Sequence, residues 1–346
     1  MVNHIHSIIN LPDRSYQAIA RAELKSMAVK AGLTGHRLAE TEIIIAEITT
    51  NLVKHATHGG QVLCRILEED DRNGLELVAI DNGPGIAATS SMLRDGVSTK
   101  NTLGQGLGAI KRLSDVFDIY SLVGWGTILI SRVFKKTKKA LKPTDCIVME
   151  SIRVSKPGET ACGDNWSMNG TDKITRVCMA DGLGHGPEAS AAATRAITGF
   201  SAQSGTQANE HLRSIHEDIR KTRGAVMSIA YIDNVNKQLT YCGIGNILTR
   251  LISQPLSMSS RTFNSYNGIV GHTIPNTINN TVIPWDKRLD MLIMHTDGIS
   301  GRWDLAKYPK ILQHHSTILC AALFKDHFRS TDDATVSVIR YVKNAS

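Results

Sequence analysis

The apolar run Val177-Cys178-Met179-Ala180 stops at Asp181-Gly182, glycines recur at 184 and 186, and a helix-like run follows from Pro187 to Phe200. This order predicts a strand, a tight turn and a helix. It sets one carboxylate at a strand end, where glycines let the backbone come close to whatever that carboxylate holds, a metal or a phosphate. Further acidic sites stand beside other predicted strands: Gly163-Asp164 after an irregular stretch, Thr296-Asp297-Gly298 closing the run Met291 to Met294, and Asp332-Asp333 opening the run Ala334 to Tyr341. Any one of these is an ordinary turn or cap signal. Together they suit hard divalent cations, which take oxygen ligands, and a two-metal site needs several carboxylates plus water. No Cys or His spacing points to zinc.

In order, spacing and flanking runs, Gly163-Asp164, Asp181 to Gly186, Thr296-Asp297-Gly298 and Asp332-Asp333-Ala334-Thr335 resemble the metal-dependent (PPM) protein serine phosphatases of the bacterial SpoIIE/RsbX type. The resemblance covers Asp145 to Tyr341. It implies that Asp181 bridges two Mn²⁺ or Mg²⁺ ions as the centre of catalysis, with the Gly182 carbonyl completing one coordination shell. Asp164, Asp297 and Asp332 would supply further ligands directly or through water. Asp333 occupies a position where many relatives carry Asn, so the ligand role falls to Asp332. Hydrolysis would proceed by direct attack of water activated by the metals, and no Cys-x5-Arg loop around Cys162, Cys178 or Cys242 offers a thiol route.

A second constellation lies upstream. Glu47 and Asn51 are four residues apart on a predicted helix from Thr34 to His55, so they share one face. A predicted strand, Leu75 to Ile80, runs into the turn Asp81-Asn82-Gly83-Pro84-Gly85-Ile86. The cluster Gly104-Gln105-Gly106-Leu107-Gly108 then opens a predicted helix from Ala109 to Phe117, a place where backbone N–H groups meet an anion such as a triphosphate. No strand leads directly into these glycines, which excludes the Rossmann order, and no Gly-Lys-Ser or Gly-Lys-Thr follows, which excludes a Walker loop.

Glu47-xxx-Asn51, Asp81-xGlyxGly85 and Gly104-x-Gly106-x-Gly108 resemble the GHKL ATP-binding fold, and most of all the anti-sigma serine kinases of the RsbT type. Asp95-Gly-Val-Ser-Thr-Lys100 and Gly124-Trp-Gly-Thr127 strengthen the comparison, which covers Ile5 to Phe134. It implies that Asn51 holds Mg²⁺ on the phosphates of ATP and that Asp81 accepts from the adenine amino group. Gly83 and Gly85 would let the base lie against the backbone, Gly104, Gly106 and Gly108 would form a lid over the phosphates, and Glu47 would be the general base toward a serine or threonine hydroxyl.

The elements that must position these residues predict an α/β (α+β) chain in two modest domains. The first is a GHKL (Bergerat) α/β sandwich over 1–134; residues 135–144 form a basic linker, containing Lys135-Lys136-Thr137-Lys138-Lys139; and 145–346 form a PPM-type α-β-β-α sandwich. Cys146 to Val154 reads as a strand partnered by Ile174 to Ala180, and Leu248 to Ser253 and Val282 to Pro284 read as edge strands. The Gly243-Ile-Gly-Asn246 turn is a further glycine punctuation. His185 and His295 lie near the predicted metal turns as hydrogen-bond partners more readily than as acids, and His314-His315 reads as a surface pair on a helix. Six scattered cysteines without a CxxC pair suit reduced thiols. The net charge of +7 is concentrated in the linker without aromatic or zinc-finger signatures, which argues against nucleic-acid binding. No apolar run approaches a membrane span and Met1 to Asn10 lacks signal-peptide order, so a cytoplasmic protein with no membrane association is expected.

By resemblance, the two halves perform opposite chemistry on a Ser or Thr of a STAS-domain anti-sigma antagonist or a stressosome-like scaffold, with a sigma factor or a further phosphatase downstream. Two alternatives stand beside this expectation. In one, only the phosphatase half is an enzyme and the ATP-binding half senses nucleotide; in the other, that half is an anti-sigma-type binding module.

Overall fold

Alternating apolar residues build the first sheet. Val62 and Cys64, then Leu75, Leu77 and Ala79, then Leu129, Ser131 and Val133, each step by two and bury one face, as the pleat requires. The computed structural model describes residues 5–56, 59–69, 72–87, 103–135, 146–171, 173–205, 207–254 and 259–342. By internal contacts the chain divides into two units: Met1–Leu141 with Lys310–Lys325, and Lys142–Pro309 with Asp326–Ser346.

In the first unit the strands are β1 (Ser7–Leu11), β2 (Gly60–Glu69), β3 (Arg72–Asp81), β4 (Val116–Leu122) and β5 (Gly126–Phe134). They form one antiparallel sheet in the order β1-β2-β3-β5-β4. On its apolar face lie α1 (Gln17–Lys30), α2 (Gly35–His55) and α3 (Leu103–Leu113). Ile44, Ile48 and Leu52 of α2, at helical spacing, bury against Leu77, Leu107 and Ile110. The opposite face carries a buried charge cluster in which Glu76 meets Arg65, Arg132 and His6. Burial alone would raise the Glu76 carboxyl, but Arg132 and Arg65 hold it well below the usual carboxylate range.

The later segment Lys310–Lys325 completes this unit. His314 Nδ1 and the His315 backbone N–H meet the two oxygens of Asp118 at 3.0 and 2.6 Å, and Lys325 donates to the Trp125 carbonyl at 2.9 Å. The two histidines therefore stand ahead of α6 (Ser316–His327) in an Asp118 clamp, not on the surface of a helix. The helix expected from Ala109 to Phe117 also differs. It begins at Leu103 and takes in Gly104, Gly106 and Gly108, while Phe117 belongs to β4. A glycine at 106 suits this helix because a side chain there would meet Glu47: a Cβ would stand 2.3 Å from Glu47 Oε2. Asp95–Lys100 lies outside the described residues.

The second unit holds two five-stranded antiparallel sheets. One joins β7 (Asp164–Gly170), β8 (Ile174–Gly182), β9 (Ala225–Asp233), β10 (Gln238–Ile244) and β13 (Thr281–Pro284), in the order β13-β10-β9-β8-β7. The other joins β6 (Cys146–Val154), β11 (Leu248–Ser253), β12 (Ser259–Thr262), β14 (Asp290–His295) and β15 (Ala334–Val342), in the order β12-β11-β14-β15-β6. Val177, Met179 and Ile232 of the first sheet share a core with Leu292, Met294 and Ile339 of the second. On the first sheet's outer face, α4 (Pro187–Ala202) and α5 (Ala208–Asp218) bury Ala193, Ala196, Phe200, Leu212 and Ile215 against Cys178 and Ile229. The mixed α/β class is as expected.

Two pairings are corrected. Residues 174–180 do not partner β6: β6 pairs with β15, and β8 lies between β7 and β9 in the other sheet. The β7 sequence Asp-Asn-Trp-Ser-Met-Asn-Gly carries only two apolar residues, Trp166 and Met168, too few to mark a strand by themselves, so its claim on β8 was not legible. Nor is β11 an edge, because β12 pairs along its free side. Among the described residues no helix is long and apolar enough to cross a membrane.

Two candidate active sites

In the first unit, Ile48, Leu52, Ala79, Ile86, Leu107 and Leu129 wall a pocket. That lining suits a small ligand with a flat apolar part. Asn51, Asp81, Thr127 and His55 bring polar groups to it. Asp81 is fixed at the end of β3: its Oδ1 accepts the Gly83 N–H at 2.7 Å and the Thr127 N–H at 3.2 Å. Burial pushes its carboxyl above the ordinary range. The carboxylate keeps acceptor capacity for an amino group of a bound base. Gly85 lines the pocket at φ +75°, and a Cβ there would lie 1.9 Å from the Leu122 carbonyl oxygen, so the turn admits only glycine. Gly83 is set back, serving the Asp81 carboxylate.

Glu47 is half-buried one turn before Asn51 and faces Gly106 of α3; it is not among the pocket-lining residues. Leu107, between Gly106 and Gly108, supplies the helix's contact with the pocket, and Gly104 lies in the first turn of α3. Sequence reasoning missed His55, although Glu47, Asn51 and His55 repeat at four-residue spacing along one helix face. Burial, then the neighbouring Lys54 charge, lowers the His55 pKa and favours its neutral form.

In the second unit, Asp181 and Gly182 end β8, and the ladder sets Asp164 directly opposite Asp181. Asp181, Gly182, Asp297 and Asp332 line one cleft with Asn246 and Asn267. Asp164 lies buried behind it, where its Oδ2 accepts the Thr296 hydroxyl at 2.7 Å and its Oδ1 has no partner. Gly182 is required by crowding, since a Cβ would stand 2.1 Å from the Ala189 carbonyl oxygen of α4. Asp332 and Asp333 separate cleanly. Asp333 spends its oxygens on the Lys156 and Gly163 N–H groups, each at 2.8 Å, and Asp332 faces the cleft.

Burial raises the Asp164 carboxyl to about 7. Asp181 is held well above the ordinary range, first by burial and then by the charges of Asp164, Asp297, Asp332 and Asp333. Crowded carboxylates, with an orphaned buried oxygen among them, form a donor set that fits hard cations. Among the described residues no three acidic, His or Cys side chains close on one ion by themselves. The fit therefore calls on the Gly182 carbonyl and on water, which Mg²⁺ in particular retains.

The histidines face elsewhere. His295 Nδ1 lies 2.8 Å from the Thr296 carbonyl and its Nε2 accepts from Trp303 at 3.0 Å, while burial pushes its pKa down to about 4. His185 Nδ1 lies 2.6 Å from Glu159 Oε1. Sequence reading placed Thr296 and Asn246 in motifs without giving either a role, because their contacts depend on how distant strands register.

Two families match the sequence: the Histidine kinase-like ATPase domain over residues 11–132 and Stage II sporulation protein E (SpoIIE) over residues 171–342. Serine/threonine-protein kinase RsbT of Bacillus subtilis (strain 168) is 33% identical over 108 residues, 31% of this chain and 80% of RsbT. Phosphoserine phosphatase RsbX of the same organism is 33% identical over 102 residues, 28% of this chain but only 48% of RsbX, so the match spans about half of that relative. A crystal structure of RsbX in complex with magnesium shares the fold at TM-score 0.52 and 22% identity, covering 58% of this chain and 98% of that one. A structure reported as "The bacterial stressosome: a modular system that has been adapted to control secondary messenger signaling" also gives TM-score 0.52, at 26% identity over 56% of this chain and 99% of that chain.

Proposed function

The chain belongs, over its first third, to the RsbT-type histidine kinase-like ATPases and carries a SpoIIE-type phosphatase domain after it, and from that premise we propose that its two sites act in opposition on one protein hydroxyl. The substrate is a Ser or Thr on a STAS-domain regulator or a stressosome-like scaffold, and the output is partner switching that governs a sigma factor or a related pathway. The carrying observation is the presence, in one chain, of an apolar-walled pocket anchored by Asp81 and another cleft lined by Asp181, Asp297 and Asp332.

In the first site Asp81 accepts from the adenine of ATP, Asn51 holds Mg²⁺ against the phosphates, and Gly85 admits the base. Gly104, Gly106 and Gly108 bring the start of α3 toward the phosphates without side chains in the way. Glu47 takes the proton from the attacking hydroxyl.

In the second site Asp181, Gly182, Asp297 and Asp332 hold two Mn²⁺ or Mg²⁺ ions, with Asp164 behind them acting through water. When bound, these cations supply Lewis acidity and lower the pKa of water for attack on a phosphoserine or phosphothreonine ester. Thr296 keeps the Asp164 carboxylate in place through its hydroxyl.

The test uses Asp181→Ala beside wild type with labelled ATP, Mg²⁺ and a STAS-domain protein. Label that accumulates with the variant and is removed by wild type plus Mn²⁺ is the expected result. No label under any condition, with phosphorylated STAS protein still hydrolysed by wild type, leaves a phosphatase alone. That second reading, with the first half a nucleotide sensor or binding module, is favoured by one observation: Glu47 packs toward Gly106 and stands outside the pocket lining.

A further inference from the structure

The Gly243-Ile244-Gly245-Asn246 turn joins β10 to β11 and enters the cleft through one side chain, Asn246. It is a rigid piece of backbone. Gly245 N–H donates to the Tyr266 carbonyl and Tyr266 N–H to the Gly243 carbonyl, both at 2.8 Å. Gly245 sits at φ +97°, and a Cβ there would lie 2.1 Å from Val226 Cγ1, so no other residue can take that place. The turn therefore delivers residue 246 to a fixed point.

That point is set by strand register. β11 pairs with β14 through Leu248↔His295, and continuing the antiparallel register by two residues puts Asn246 opposite Asp297. The side chains meet there: Asn246 Nδ2 donates to Asp297 Oδ2 at 2.9 Å. A carboxylate with one oxygen tied to an amide has its plane and rotamer fixed, which leaves the other oxygen to face the cleft. Groups that hydrogen-bond to a ligating side chain orient it and commonly set metal affinity.

We propose that Asn246 is a positioning residue for the metal site, aiming the Asp297 carboxylate at a bound cation through its amide. This rests on the reading of the cleft as a divalent-cation site. It assigns a task to a turn that none of the predicted ligands uses, and it predicts that the donor N–H matters, not merely the volume of the side chain.

The experiment is calorimetric titration of Mn²⁺ into the full-length wild type, Asn246→Ala and Asn267→Ala proteins, each first stripped with EDTA and checked for an unchanged metal-free melting curve. Asn267 lines the same cleft and is the control. The expected result is about tenfold weaker Mn²⁺ binding for Asn246→Ala, with Asn267→Ala close to wild type. In turnover on a phosphorylated peptide, Asn246→Ala should regain its rate at raised Mn²⁺ with KM unchanged. Equal Mn²⁺ affinity in wild type and Asn246→Ala overturns the inference. So does a raised KM without a change in Mn²⁺ binding, which would make Asn246 a substrate contact, or an equal loss in Asn267→Ala. If wild type itself binds no Mn²⁺, or binds it equally after Asp181→Ala, the reading of the cleft fails first, and that outcome is distinct from the others.

Discussion

Thr296 Oγ1 donates to Asp164 Oδ2 at 2.7 Å while accepting the backbone N–H of Thr335 at 2.9 Å. One hydroxyl thus bridges the two sheets of the second unit at the point where the buried carboxylate lies, tying β15 and the loop after β14 to the first residue of β7.

Thr296→Val keeps the shape and removes that hydroxyl. It leaves a buried carboxylate and a buried N–H short of a partner, a loss of about 1–3 kcal/mol. Urea unfolding of the metal-free protein should show a lower midpoint with an unchanged slope. An unchanged midpoint would mean that the bridge carries no stability.

The raised Asp164 carboxyl gives the metal-free protein a pH dependence of definite sign. Its folded pKa of about 7 exceeds the ordinary 3.8, so between these values the folded state holds a proton that the unfolded chain has released. Stability is then lost as pH rises through that window, and Asp181, shifted in the same direction, adds to the loss. In EDTA the melting temperature should fall from pH 5 to pH 8. Mn²⁺ should raise the melting temperature most at pH 8, where the carboxylates are charged. A melting temperature that climbs with pH in EDTA would refute the electrostatic account.

Glu47→Gln separates a kinase from a sensor. A general base contributes about 10²–10⁴ in rate, so under the proposed role of Glu47 the variant should bind ATP like wild type and transfer label to a STAS-domain protein at least a hundredfold more slowly. Equal transfer rates would remove Glu47 from the chemistry and leave its contact with α3 as its role.

Glu76→Ala tests the buried charge cluster. Arg132 Nε lies 2.5 Å from Glu76 Oε2 and Arg65 Nε 2.7 Å from Oε1, so the variant removes the carboxylate that both buried guanidinium groups face. Removing one member of such a group costs about 3–5 kcal/mol. Differential scanning calorimetry should show the first unit melting earlier, with Mn²⁺ binding at the second unaffected.

Much of the fold was legible because its strands are written in strong apolar runs. β6, β9, β10 and β11 begin and end where those runs do, and α2 follows from its spaced isoleucines. What failed was pairing. Nothing local tells residues 174–180 that their neighbour is β7, because the alternation in β7 is only two apolar residues long, Trp166 and Met168, among polar ones. The glycines at 104, 106 and 108 read as a loop from propensity alone, yet they sit within α3, where a small residue at 106 leaves room for Glu47. In the cleft, Asp181, Asp297 and Asp332 were readable because each adjoins a strand end. Thr296 and Asn246 were not, since a Thr beside an Asp and an Asn after a Gly gain meaning only when residues 132 and 51 positions away in the chain arrive beside them.

The chain leaves the first unit at Leu141, returns at Lys310 and departs again after Lys325. A gene fragment that stops at the basic linker would thus encode the nucleotide pocket without His314 and His315, which engage both oxygens of Asp118, and without Lys325, which holds the Trp125 carbonyl. Neither unit is one uninterrupted stretch of reading frame. A cut after Leu141 therefore removes part of the first unit, and single-residue changes within the two sites are the cleaner way to test them apart.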